Sequence, residues 1–200
     1  MLKKLIYIIN IIIINALLLT SAHAVRDKNT FALELKELKG QHLFLQYYIP
    51  KTHFTTPDMY RLFFEGFQPI LEFIPIGEVF EEWSEIITVV YYRNHGWRSK
   101  DLTDNLFKSF TEGTEKTTVI THNNDNFDDF DHSDLSMQYM ENGKAEMVYI
   151  RYYSGLYHTA GIQYAMKLDD WLAEKDAKKL VKKMSAKVDT FLEMRIVDKE

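Results

Sequence analysis

Cysteine is absent from all 200 residues. That excludes disulfides, thiol catalysis, thiolate zinc sites and iron–sulfur clusters, and leaves packing alone to hold the fold. Proline is scarce, with four residues in the chain, and glycine numbers only eight. No stretch is rich enough in either to act as a linker between domains, and no internal repeat is present. Basic residues are outnumbered, 24 against 29 acidic, for a net charge of −5. A surface of that sign repels phosphate backbones, so no nucleic-acid role is expected. The motifs of hydrolases and metalloenzymes are missing too. There is no G-x-S-x-G, no H-E-x-x-H and no H-x-H pair, and neither a catalytic residue, a metal site nor a cofactor is expected.

What is present begins with an address. Met1, Lys3 and Lys4 form a positive start, an apolar run follows from Leu5 to Thr20, and Ala22-His23-Ala24 closes it. Charged, apolar, then small-x-small is the grammar of a secretory signal peptide. The run is shorter than the roughly 20 residues that span a bilayer, so cleavage after Ala24 is expected, with no stable membrane span afterwards. The product would be periplasmic or secreted. Residues 1–24 are thus read as signal peptide and 25–200 as one exported domain, long enough to bury roughly 70% of its unfolded surface.

Along the domain, residues 25–50 give mixed signals. Phe31, Leu33 and Leu35 alternate as in a strand, while Phe31, Leu35 and Leu38 also suit a helical stripe; 43–49 reads as a strand ended by Pro50. Thr56-Pro57-Asp58 has the form of a helix start and predicts a short helix to about Phe64. Strands are predicted at 70–74 and, from its β-branched run, at 85–92. Ser99 is taken as the capping hydroxyl of a helix whose stripe is Leu102, Leu106 and Phe110, with Gly113 as its stop. A strand at 117–121 and a polar, aspartate-dense loop at 123–133 follow. Asn142-Gly143 is a strong hairpin signal, so 135–167 reads as a three-stranded meander. From about Asp170 to the end, Ala177, Leu180, Val181, Met184, Val188, Phe191 and Leu192 make an apolar stripe with lysines around it, which predicts a long amphipathic helix. The fold class expected is α+β: a single antiparallel sheet with a mid-chain helix and a long C-terminal amphipathic helix packed on it.

Strands around a mid-chain helix, then a meander, then a long amphipathic C-terminal helix resemble the PsbP/DcrB-like domains of small exported bacterial proteins, and Pro75-Ile76-Gly77-Glu78 followed by Trp83-Ser84-Glu85-Ile86-Ile87-Thr88 is similar to a signature shared among exported proteins of gram-negative bacteria. The resemblance runs over about residues 67–195 in element order. It implies a non-enzymatic accessory or binding role and brings no catalytic residues.

Three clusters invite a functional reading. The aspartates from Asp125 to Asp134 suit a hard cation in type, but their spacing fails the calcium-loop pattern: Asp134 stands where the turn glycine belongs and Met140 where the bidentate glutamate belongs. Six histidines, His42, His53, His95, His122, His132 and His158, are scattered along the domain. Glu78, Glu82 and Glu85 beside Trp83 offer paired carboxylates, which makes a secreted carboxylate-dependent hydrolase the alternative reading. The aromatic doublets Tyr47-Tyr48, Tyr91-Tyr92 and Tyr152-Tyr153 sit in or at the end of predicted strands, so each sends its two rings to opposite faces. If one face is uncovered, three rings are exposed and suit a protein or glycan partner; if helices and the N-terminal segment cover both faces, the rings are core. The first arrangement makes the chain an exported, non-enzymatic binding or accessory protein with an aromatic surface. Its contact residues would be Glu78, Trp83, Glu85, Tyr92, His95, Trp97 and Tyr152.

Overall fold

Alternation governs most of the chain. In a computed structural model, which describes residues 28–36, 41–55, 61–63, 68–93, 96–127, 130–155 and 158–198, eleven strands and two α-helices are present among the described residues. The strands are β1 (Lys28–Lys36), β2 (Gln41–Pro50), β3 (Phe54–Thr55), β4 (Arg61–Phe63), β5 (Gln68–Pro75), β6 (Glu85–Arg93), β7 (Lys116–Phe127), β8 (Phe130–Glu141), β9 (Lys144–Ser154), β10 (His158–Leu168) and β11 (Leu192–Asp198). The helices are α1 (Ser99–Gly113) and α2 (Glu174–Phe191). The leader at 1–24 and the sequence signals on His95, Asp128 and Asp129 lie outside the described residues.

The fold is α+β and antiparallel throughout, but it holds two sheets where one was expected. The main sheet runs β3-β5-β6-β10-β9-β8-β7, with β4 also on β5; the small one runs β1-β2-β11. The second sheet exists because both ends of the domain are strands. Helix α2 stops at Phe191, and the chain continues as β11, pairing Leu192 with Tyr47 and Ile196 with Leu43. Leu192, Met194 and Ile196 alternate with Glu193 and Arg195, a period of two that ends the helical stripe. The mixed signals at 25–50 resolve as strand: β1 pairs with β2 from Lys28↔Pro50 to Lys36↔His42. The short helix expected after Pro57 is not formed at 61–63, which pairs with β5; its remaining residues fall outside the described set.

Both faces of the main sheet are covered. On one side Leu43, Leu45, Tyr47 and Ile49 of β2 meet Val89, Ala160 and Ile162, while α2 lays Ala177, Val181, Met184, Val188 and Phe191 beside them. On the other, Leu102 of α1, flanked by Leu106 and Phe110, packs on Leu135, Met137, Val148 and Ile150. Three layers result, and apolar burial on both faces is the main stabilising term. Ser99 is not the cap of α1. It lies inside the helix and is fully buried, its N–H donating to Ser154 Oγ at 2.8 Å; the preceding Arg98 holds the cap position, its N–H bonded to the Asp101 carboxylate at 3.1 Å.

The hairpin Asn142-Gly143 forms as expected, with φ of 52° and 71°. Two consecutive positive φ values define the turn that matches strand twist, and asparagine and glycine adopt them with least strain. The aspartate-dense stretch is not a loose loop but the far end of a ladder, from His122↔Leu135 to Phe127↔Phe130.

Candidate functional site

At the start of β6 the carboxylates have structural partners. Glu78 accepts from Ser84 N and Ser84 Oγ, both at 2.6 Å, closing the turn around the 3-10 segment Phe80–Glu82. Trp83 lies beneath the Lys167 ammonium, 4.5 Å from the ring centre. Glu85 accepts from Tyr164 Oη and Lys187 Nζ, with His53 Nε2 3.5 Å from its other oxygen. Burial acts to raise the pKa of Glu85, but the bonds from Lys187 and Tyr164 outweigh it, and the net shift is downward. A general acid needs the opposite shift. Lys187, one of the lysines around the apolar stripe, turns inward to tie α2 to β6. Replacing Glu85 by glutamine should therefore lower stability by about 1 kcal/mol through the weakened Lys187 pair. Thermal melting of the variant checks it, and an unchanged melting temperature would mean the pair contributes nothing.

At the other end of β6 the rings form a ladder from core to solvent. Tyr152 is 0% exposed. The reading that places it on an open surface fails, because α1 and its neighbours cover that face of the sheet. Tyr153 and Tyr47 are likewise buried. Tyr92, half-buried, meets Tyr152 edge-on at 6.4 Å, and Trp97 stands 6.5 Å beyond it, 48% exposed. The loop carrying Trp97 is held at three points. Gly96 takes a φ of 63°, Thr159 Oγ1 donates to the Trp97 carbonyl at 2.6 Å, and Arg98 pairs with Asp131. On the opposite face Tyr91 lies 5.7 Å from the His158 ring.

Three arrangements escaped sequence reasoning. Asp134, under α2, accepts from Arg151 Nε at 2.9 Å, Arg151 Nη2 at 3.2 Å and Tyr149 Oη at 2.8 Å, with His132 Nε2 at 3.0 Å. Burial pushes its pKa up, but the bonds from His132 and Arg151 and the guanidinium charge bring it down to about 2. Asp131 pairs with Arg98 and Asp134 with Arg151, while Asp125 and Asp134 flank the two nitrogens of His132, and among the described residues no group of acids and histidines converges as a metal site. Second, Ile76 and Val79 are 57% and 55% exposed on the turn that Glu78 closes; apolar residues bracketing Gly77-Glu78 were a readable signal. Third, a cavity of about 800 Å³ opens between β7 and the approach to α2, with Trp171 on its wall. Only tertiary packing creates it.

No protein-family model and no curated protein sequence matches the chain. Among solved structures it is similar to the Ran-binding protein Mog1p of Saccharomyces cerevisiae, at 11% identity and a TM-score of 0.47, over 83% of this chain and 95% of that one. It is also similar to cyanobacterial PsbP (CyanoP) from Synechocystis, at 10% identity and a TM-score of 0.46, over 79% and 94% respectively. At such identities and scores below 0.5, the functional reading rests on this chain's own residues.

Proposed function

We propose that the chain is an exported, non-enzymatic binding protein that acts in the periplasm or outside the cell and grips its partner, a protein or a glycan, through Trp97. The observation that carries this reading is the fixed, half-exposed indole at the end of the Tyr152–Tyr92–Trp97 ladder. Large exposed rings on a rigid support lose little entropy on binding, and tryptophan is prominent among interface hot spots. Tyr92 adjoins Trp97 in the contact, and His95, two residues before Trp97 in the sequence, is assigned to it on sequence alone. Tyr152 supports it from the core, while Glu78, Trp83 and Glu85 hold the opposite end of β6. The hydrolase alternative loses support because Glu78 and Glu85 are engaged in structural bonds and Glu85 is shifted the wrong way for an acid. Export rests on the leader at 1–24, and N-terminal sequencing of the fractionated protein should find Val25 first.

Trp97→Ala is expected to weaken capture of the envelope partner by about 30-fold or more, the scale of a hot-spot tryptophan, while the melting temperature stays within about 2 °C. Affinity pull-down from cell-envelope extract followed by titration measures the first and calorimetry the second. Equal capture by both proteins would remove Trp97 from the contact.

A further inference from the structure

Strand β7 is the last of the main sheet, and among the described residues it pairs with β8 alone. In an antiparallel ladder every second residue turns its N–H and C=O outward, so the free side of β7 offers unpaired backbone groups to any chain that lies along it. The 800 Å³ cavity opens onto this side. Thr118, Val119 and Ile120 line it in succession, which one face of a strand cannot do because alternate residues point to opposite faces. Its far wall is Trp171 and the first turn of α2. With its oxygen turned toward that wall, the orientation its neighbours favour, the buried Gln138 carboxamide would accept from Trp171 Nε1 at 3.3 Å and Leu172 N at 3.0 Å.

The charge at this groove has a sign. Lys116 Nζ stands 3.8 Å over the Trp171 ring and has no carboxylate partner among the described residues. Glu174, the carboxylate on the lining, is already paired with Lys178 at 2.6 Å. One cation is therefore left uncompensated beside an open strand edge. A second copy of the chain fits the edge poorly. Lys116 on the edge is a charge of the kind that discourages self-pairing.

We propose that the outer edge of β7, facing Trp171 and the start of α2, binds an extended acidic peptide segment of a partner protein as an added strand. Backbone bonds to β7 would supply affinity, the cavity would accept an alternate apolar side chain against Trp171, and Lys116 would select a neighbouring carboxylate. This surface is separate from Trp97.

The test pans a random dodecapeptide phage library on the purified chain. Enriched peptides are expected to combine β-branched or aliphatic residues with at least one aspartate or glutamate. In fluorescence polarisation with a labelled enriched peptide, Lys116→Glu should weaken binding by about fivefold or more, and panning on that variant should select lysine or arginine instead. Trp97→Ala should leave the affinity unchanged, which separates failure here from failure of the Trp97 reading. Trp171→Ala is expected to abolish binding; because that ring also packs, the exposed Lys116 variant carries the decision. No enrichment, peptides indifferent to Lys116→Glu, or a dimer in sedimentation that Lys116→Glu dissociates would each overturn the proposal.

Discussion

Replacing Gly161 by alanine is expected to cost about 3 kcal/mol or more. A Cβ at Gly161 would fall 2.1 Å from Tyr152 Cδ1, 2.2 Å from the Arg151 carbonyl oxygen and 2.9 Å from Tyr152 Cα. Two of those atoms are backbone and cannot rotate away, so β9 and β10 would have to separate. Their ladder places Gly161 opposite Tyr152 on one side and opposite Val90 on the other, in the middle of the sheet. The Gly161 carbonyl also accepts from Tyr47 Oη at 3.4 Å, which links the small sheet to the main one at the same point. Nor can Tyr152 yield, since its ring is fully buried and its hydroxyl accepts from Gln163. Gly113→Ala, where a Cβ meets nothing within 4 Å, serves as the control and should change stability by less than about 1 kcal/mol. Urea unfolding of both variants makes the comparison. Equal midpoints for Gly161→Ala and the parent would show that ring and strand do not approach as described. Because Tyr152 backs Tyr92 and Trp97, a folded Gly161 variant should also lose partner capture, though Trp97 itself is untouched.

Legibility followed the range of the interactions. The β-branched run of β6, the apolar spacing of α1 and the Asn142-Gly143 turn are decided by neighbours a few residues away, and each was readable. The small sheet was not, because it joins Leu43 to Ile196 and Tyr47 to Leu192. No local window holds both partners, and a helix as strongly patterned as α2 invites extension past Phe191. The helix start at Thr56-Pro57 shows the reverse error, where a local capping signal was outweighed at Arg61–Phe63 by an available sheet edge. For the site, the tyrosine doublets announced two opposed rings per strand, but whether a layer covers each face is a property of the whole fold. Tyr152 is buried on the face that α1 covers, whereas Trp97 lies in the segment before α1 and is 48% exposed. The aspartates misled through composition: a dense run of acid looks solvated until Arg98 and Arg151 arrive from 33 and 17 residues away.

The Asp134–Arg151 pair ties β8 and β9 together beneath α2. Asp134 and Arg151 are both mostly buried, with side chains 14% exposed, and each is surrounded by groups that suit its charge. Asp134 faces Arg151, Tyr149 and His132; Arg151 reaches Asp189 on its other side, and Ser185 Oγ donates to Tyr149 Oη at 3.2 Å. Removing one partner strands the other in a poorly hydrated space, so Arg151→Ala should cost about 3 kcal/mol at neutral pH. The acid limb follows from the same bonds. Asp134 has its pKa lowered from 3.8 to about 2, so its contribution is complete above the unfolded value and is lost as pH falls through the folded one. The parent should therefore give up about 2 kcal/mol between roughly pH 5 and pH 2 on account of this carboxyl alone. Asp134→Asn should be less stable at pH 7 and should lack that part of the decline, so the two stability curves converge on acidification. Urea midpoints measured from pH 7 to pH 2 decide it. Parallel curves for parent and Asp134→Asn would mean the carboxylate is solvated in the folded chain, and the network under α2 would then contribute little to holding that helix on the sheet.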